Sequence, residues 1–194
     1  MTVTDGQLPS ITCPVNLTKS TDVNLCTAVV SYTAPTFTDN CTGGSLVIQS
    51  GLPSGSAFPK GANTVVWKAT DGAGLTKTCT FRVTVNDTQA PIITCPANQT
   101  KTIDPGLCTA IATYSPATFT DNCTLGSVVK VSGPGSGAAF PRGVTPVVFK
   151  ATDAAGNTSL CTMTITVTYQ DKIAILNLGD DENRFSLGFL DDIN

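Results

Sequence analysis

The sequence predicts an all-β protein of two tandem antiparallel sandwiches, and three observations carry that expectation. First, the chain repeats itself. Cys13, Cys26, Cys41 and Cys79 recur as Cys95, Cys108, Cys123 and Cys161 at one constant step of 82 residues. Pro9–Val85 and Pro91–Val167 match at roughly 45 of about 77 positions without a gap. Second, the 194 residues are only 13% charged and rich in Thr, Gly, Ser and Val, a balance that favours strands with uncharged polar faces over helices. Third, the end of each repeat alternates strictly. Cys79, Phe81, Val83 and Val85 fall on one face and Thr80, Arg82 and Thr84 on the other, as do Cys161, Met163, Ile165 and Val167 against their neighbours.

Along the first repeat, earlier strands are expected at Ile11–Leu17, Cys26–Tyr32, Leu46–Ser50 and Thr64–Thr70, separated by clusters of Gly, Pro, Asn and Asp. The period divides the chain into a linker-like segment 1–8, sandwiches at 9–86 and 87–168, and a segment 169–194 outside the repeat. Modules of about 80 residues are marginal for a lone hydrophobic core. Because the last-strand cysteines share the apolar phase, their sulfurs should point inward, where a partner on another strand can meet them. The connection Asn86–Ala90 leads into Pro91 and is too short for free rotation, so a stiff joint is expected.

Composition excludes several functions. Eight cysteines in even, repeated sets fit an oxidising compartment. Zinc would need close ligand pairs, which the spacing lacks, and histidine is absent. Absence of histidine also removes Ser-His-Asp and Cys-His catalysis. A net charge of −3 with scattered Lys and Arg offers no basic patch for nucleic acid. No window approaches a membrane span. The start, MTVTDGQLPS, has no basic region or apolar stretch and does not read as a secretory signal. Its VTDGQLP echoes VNDTQAP between the repeats, as expected of a segment from a longer array.

The Gly-Ser stretches Ser50–Ser56 and Ser132–Gly137 read as turns, with no base beside them. Carboxylate pairs as in glycoside hydrolysis would be Asp39 with Asp71 and Asp121 with Asp153. All four lie in turn motifs (FTDNC, ATDGAG, ATDAAG), where a short Asp binds nearby amides, so capping is the expected role. For calcium, Asp87 and Asn86 in the hinge offer oxygen ligands, but two are fewer than a site needs. Six N-x-S/T triplets begin at Asn16, Asn40, Asn86, Asn98, Asn122 and Asn157.

The motifs ITCP, FTDNC, SGSAFPKG, VVWKATDGAG and CTFRVTV, repeated as ITCP, FTDNC, SGAAFPRG, VVFKATDAAGN and CTMTITV, resemble those of the hyalin repeat, or HYR, module. The likeness spans both repeats. It implies immunoglobulin-like sandwiches of an extracellular protein, secreted or at the cell surface, and an association with adhesion. Leu75 stands where the pattern and the second repeat have Asn157, and Trp67 is replaced by Phe149. Four cysteines allow three pairings per repeat. The resemblance favours Cys13–Cys79 and Cys95–Cys161, leaving Cys26–Cys41 and Cys108–Cys123.

After Thr168 two apolar runs flank an acidic turn, with Ile173, Ile175, Leu178, Phe185, Leu187 and Phe189 available for assembly. The expectation is a β-hairpin or extended tail that packs on its own module, opens a further domain, or is donated to a neighbour as a strand. The function expected is therefore non-enzymatic: a structural, adhesive stalk or spacer. Its partners would be other protein subunits or cell-surface and matrix components, with a homo-oligomer or filament joined through the tail as one alternative. A carbohydrate-binding module is the other, although the lone Trp67 lies in the inward phase of its strand.

Overall fold

A computed structural model describes residues 4–123 and 126–169; the tail residues Ile173, Ile175, Leu178, Phe185, Leu187 and Phe189 lie outside them. The described residues form sixteen strands and no helix, eight strands per repeat. In the first module these are β1 (Ser10–Thr12), β2 (Leu17–Ser20), β3 (Thr27–Val30), β4 (Thr36–Thr38), β5 (Gly44–Ser50), β6 (Ser56–Pro59), β7 (Gly61–Asp71) and β8 (Thr76–Asn86). The second module repeats them as β9 (Ile92–Thr94), β10 (Gln99–Thr102), β11 (Thr109–Ala112), β12 (Thr118–Thr120), β13 (Gly126–Ser132), β14 (Ala138–Pro141), β15 (Gly143–Asp153) and β16 (Thr158–Thr168).

Each module has a four-stranded sheet, β2-β8-β7-β5 or β10-β16-β15-β13, faced by two-stranded ribbons, β1-β4 with β3-β6 or β9-β12 with β11-β14. The alternation in β8 decides which face is inside: Cys79, Phe81, Val83 and Val85 are buried. Phe81, Val83 and Val85 pack in one cluster with Val65 of β7 and the ribbon residues Ala28, Val30 and Phe58. Phe140, Val147, Phe149, Met163, Ile165 and Val167 do the same in the second module. Phe58 and Phe140 are wholly enclosed.

Two expectations about the strands need correction. The strand expected over Ile11–Leu17 is two strands, because Cys13-Pro14 ends β1 before β2 begins on the opposite layer. The sandwich is also not uniformly antiparallel. β2 lies parallel to β8 and β10 parallel to β16, since the chain that switches layers after β1 still runs in the direction of the last strand. β4 and β6 are too short, at three and four residues, to leave a period in the sequence.

Disulfides join Cys13 to Cys79 and Cys95 to Cys161, tying the start of each module to its last strand. The pairings Cys26–Cys41 and Cys108–Cys123 are not formed. The structure joins Cys26 to Cys123 instead, across the two modules, and leaves Cys41 and Cys108 as free, exposed thiols. The reason is distance along the sandwich. Cys41 lies beside Asp5, Gly72 and Ala73, at the end where β8 begins. The Cys26 carbonyl accepts from Lys60 N, next to Gly61 and its register partner Val85, at the end where β8 finishes. Eleven strand residues separate these ends by about 35 Å, whereas bridged Cα atoms must lie within about 7 Å.

Candidate functional site: the inter-module junction

The first module ends on a turn at Asp22–Leu25, closed by Leu25 N–H donating to the Asp22 carbonyl at 3.0 Å. Asn24 takes φ 60° there, a left-handed conformation that Asn tolerates better than most residues, and Gly106 fills the same place in the second module. This turn presents Asn24 to the linker. Asn24 N–H donates to Gln89 Oε1 at 2.9 Å, and Gln89 Nε2 donates to Asn24 Oδ1 at 3.1 Å. Thr21 N–H holds the Asn86 carbonyl at 2.8 Å. From the other side Asn157 Nδ2 donates to the Asp87 and Gln89 carbonyls at 3.2 and 3.3 Å, and Ser159 Oγ donates to the Pro91 carbonyl. Both modules thus grip a linker of five residues.

Next to it, the FTDNC turn of the second module closes on the first. Asn122 Nδ2 donates to the Leu25 carbonyl at 2.9 Å and to Asp87 Oδ1 at 3.3 Å, and Cys123 bonds Cys26 with Cα atoms 4.8 Å apart. The equivalent Asn40 and Cys41 are exposed, whereas Asn122 is partly covered and Cys123 is buried.

Three carboxylates gather at this joint. Asp87, Asp121 and Asp153 each place an oxygen within 4.8 Å of the others, with Asp87 and Asp153 buried. Lys60 Nζ, 3.3 Å from Asp87 Oδ2, supplies the ion pair. Asp87 also accepts from Gln89 N–H at 3.2 Å. Asp121 Oδ2 caps Cys123 N–H at 2.9 Å, and Asp153 Oδ1 caps Ala155 and Asn157 N–H at 2.9 and 2.8 Å. Burial pushes the Asp153 carboxyl up. Hydrogen bonds from the Asn157 side chain and backbone, Ala155 and Gly156 outweigh it and hold the group below the usual carboxylate range.

Of the sequence candidates, Asp121 and Asp153 are turn caps brought together with Asp87. Asn86 is exposed at the end of β8 and outside the cluster. At the opposite end of the first module, Asp39 lies with Asp5 and Cys41. Asp71 Oδ1 caps Ala73 and Leu75 N–H at 2.9 and 2.8 Å, while its buried Oδ2 has no partner. The difference between Leu75 and Asn157 therefore has a physical meaning: the Asn157 amide donates to the Asp87 and Gln89 carbonyls, and the Leu75 side chain has no donor with which to hold the matching segment at Asp5–Gln7. The amides of Asn122 and Asn157 are occupied at the joint, so a glycan on either would displace it. Asn16 and Asn98 instead accept Arg82 and Thr164 N–H at 2.8 Å, bracing β8 and β16. Trp67 packs against the first core, opposite Cys79, rather than forming an open platform.

The two grips on the linker fall at one boundary in comparisons with known proteins. The HYR domain family matches residues 4–85 and 86–167 in succession. The chain belongs to the HYR domain family. Hyalin of Strongylocentrotus purpuratus is 34% identical over 171 residues, covering 86% of this chain and 14% of that protein. Hyalin of Lytechinus variegatus is 34% identical over 175 residues, covering 88% of this chain and 33% of that one. The Rattus norvegicus sushi, von Willebrand factor type A, EGF and pentraxin domain-containing protein 1 is 30% identical over 171 residues, 84% of the chain and 4% of its own length. The HYR pair thus spans a third or less of these relatives. Among solved structures, extracellular cadherin domains 3-6 of protocadherin gamma B2 align over 84% of this chain and 52% of theirs, with a TM-score of 0.41 and 12% identity.

Proposed function

We propose that this HYR pair is a non-enzymatic, extracellular spacer of adhesive type, whose task is to hold two modules at one fixed angle. The observation that carries this reading is the Cys26–Cys123 bond beside a linker fastened from both sides. Three disulfides support an oxidising location. The two hyalins, with their 34% identity, support assignment to an extracellular structural protein. Small-angle scattering tests it. The native chain is expected to fit one narrow distribution of inter-module angles, and Cys26→Ser to broaden it. Equal breadth in both would overturn the reading.

A second reading follows from the carboxylates: Asp87, Asp121 and Asp153 place more negative charge in the joint than the single Lys60 balances. Asp121 Oδ1 and Asn122 Oδ1 are enclosed there without a hydrogen-bond donor. Oxygen-only donors of this kind suit a hard cation such as calcium. Melting in millimolar calcium against excess chelator tests it, with a higher Tm in calcium expected and identical curves refuting it.

A further inference from the structure

The repeat makes the junction a template for the outer faces of the two modules. Cys108 is the repeat equivalent of Cys26, and Cys41 of Cys123, and both thiols are exposed. The surroundings recur with them. At the first module's open end, Asp5, Asp39, Asn40, Cys41 and Asp71 repeat Asp87, Asp121, Asn122, Cys123 and Asp153 of the built joint. Asp5 Oδ1 accepts from Gln7 N–H at 3.0 Å as Asp87 does from Gln89, and the Asn40 amide lies between the Asp5 and Asp39 carboxylates. Asp71 is 4% exposed and its Oδ2 is unpartnered, whereas the matching Asp153 Oδ2 is held by Asn157.

The second module's far end carries the complementary half. Gly106, Leu107 and Cys108 repeat Asn24, Leu25 and Cys26 in a turn closed by the same bond, Leu107 N–H to the Asp104 carbonyl at 3.0 Å. Arg142 repeats Lys60, the cation that meets Asp87 at 3.3 Å. Arg142 is exposed, stacked 4.1 Å over Tyr169. Asp5 makes no ion pair among the described residues, and Arg142 is the cation that the template would place opposite it.

We propose that these ends are two halves of another inter-module junction, and that a second copy of this chain docks head to tail, its Cys108 turn on the Cys41 end, closed by a Cys108–Cys41 disulfide. The contact is heterologous, so it propagates into a filament rather than closing a dimer. It rests on the joint described above but not on the C-terminal tail. A joint between copies lacks the peptide connection that runs from Asn86 into Asp87 in the template.

The bond needs a disulfide as oxidant, such as glutathione disulfide. The Cys108 thiolate attacks one glutathione sulfur and expels a glutathione thiolate, forming a mixed disulfide. The Cys41 thiolate then attacks the Cys108 sulfur and releases the second glutathione. The two protons lost by the cysteines are carried by the two glutathione thiols, and glutathione disulfide is the species reduced. The hydrogen bond to Asp5, together with burial and the charges of Asp5, Asp39 and Asp71, pushes the Cys41 thiol up, so closure is expected to quicken as pH rises.

Incubating the full chain with oxidised and reduced glutathione, followed by non-reducing electrophoresis and peptide mapping, tests the proposal. A ladder linked by Cys108–Cys41 is expected. Cys41→Ser mixed with Cys108→Ser is expected to stop at a heterodimer, with Cys108–Cys41 exceeding symmetric links by about tenfold or more. Arg142→Glu should slow the ladder severalfold. Symmetric links in equal yield, or no Cys108–Cys41 link either in the full chain or in a chain starting at Asp5, would overturn the proposal. The map separates this failure from that of the joint itself: loss of Cys26–Cys123 in favour of Cys26–Cys41 and Cys108–Cys123 would refute both.

Discussion

Asp71 and Asp153 do the same local work with one carboxylate oxygen and different work with the other. In each, Oδ1 gathers two turn amides; in Asp153 alone, Oδ2 positions Asn157, which then holds the linker carbonyls. Asp153→Ala is expected to cost the second module about 2 kcal/mol in urea unfolding, because a charged acceptor of several hydrogen bonds is lost. The Asp153 carboxyl is depressed in the fold, so its contribution is present above the ordinary aspartate value of 3.8 and disappears as pH falls through the folded value. Stability measured across acid pH should therefore fall, and fall less steeply in Asp153→Asn. Asn157→Leu imports the first module's residue and should raise hydrogen exchange at Thr88–Ala90 while leaving the second core intact. Sequence motifs identified these aspartates as caps, but could not show that Asp121 and Asp153 would meet Asp87 from across the joint.

The long strands were legible as elements because one face of each is buried at every second residue; β8 and β16 are the clearest cases. The short ribbons were not, since three residues hold no period. Bulges were also hidden. The register of β13 on β15 shifts between Lys130 and Ser132, and the chain leaves through Gly133 at φ 84°, where an added Cβ would lie 2.5 Å from the Pro146 carbonyl oxygen. Gly133→Ala combines left-handed strain with overpacking and is expected to destabilise the module by about 2–4 kcal/mol, read by chemical denaturation. At the same scale, Cys13–Cys79 closes a separation of 66 residues, for which the chain-entropy model gives about 4 kcal/mol. Cys13→Ser with Cys79→Ser should lower the first module's unfolding midpoint by a corresponding amount and leave the second module's largely unchanged.

For the whole molecule, the third disulfide has a different consequence from the other two. Cys26–Cys123 spans 97 residues and belongs to neither core, so it constrains orientation more than the fold of either module. In Cys26→Ser the linker Asn86–Ala90 is expected to become more susceptible to limited proteolysis, whereas both modules keep their native unfolding midpoints; loss of a module's fold would show that the bond is a folding staple instead. The short connection forecast a stiff joint from its length alone. The contacts that hold the linker come from Asn24, Asn122 and Asn157, whose partners lie across the joint and so leave no mark in either repeat alone.

The sequence by itself determined the number of modules, their β-architecture and their family, because a constant period, alternating burial and turn chemistry are local properties that each repeat states in full. Only the tertiary structure decided the partners of Cys26, Cys41, Cys108 and Cys123. Identical spacing in two copies is satisfied equally by bonds within modules and bonds between them. The choice falls to the length of β8, which holds Cys26 and Cys41 at opposite ends of one sandwich and brings Cys26 against the neighbouring copy of Cys41, at Cys123.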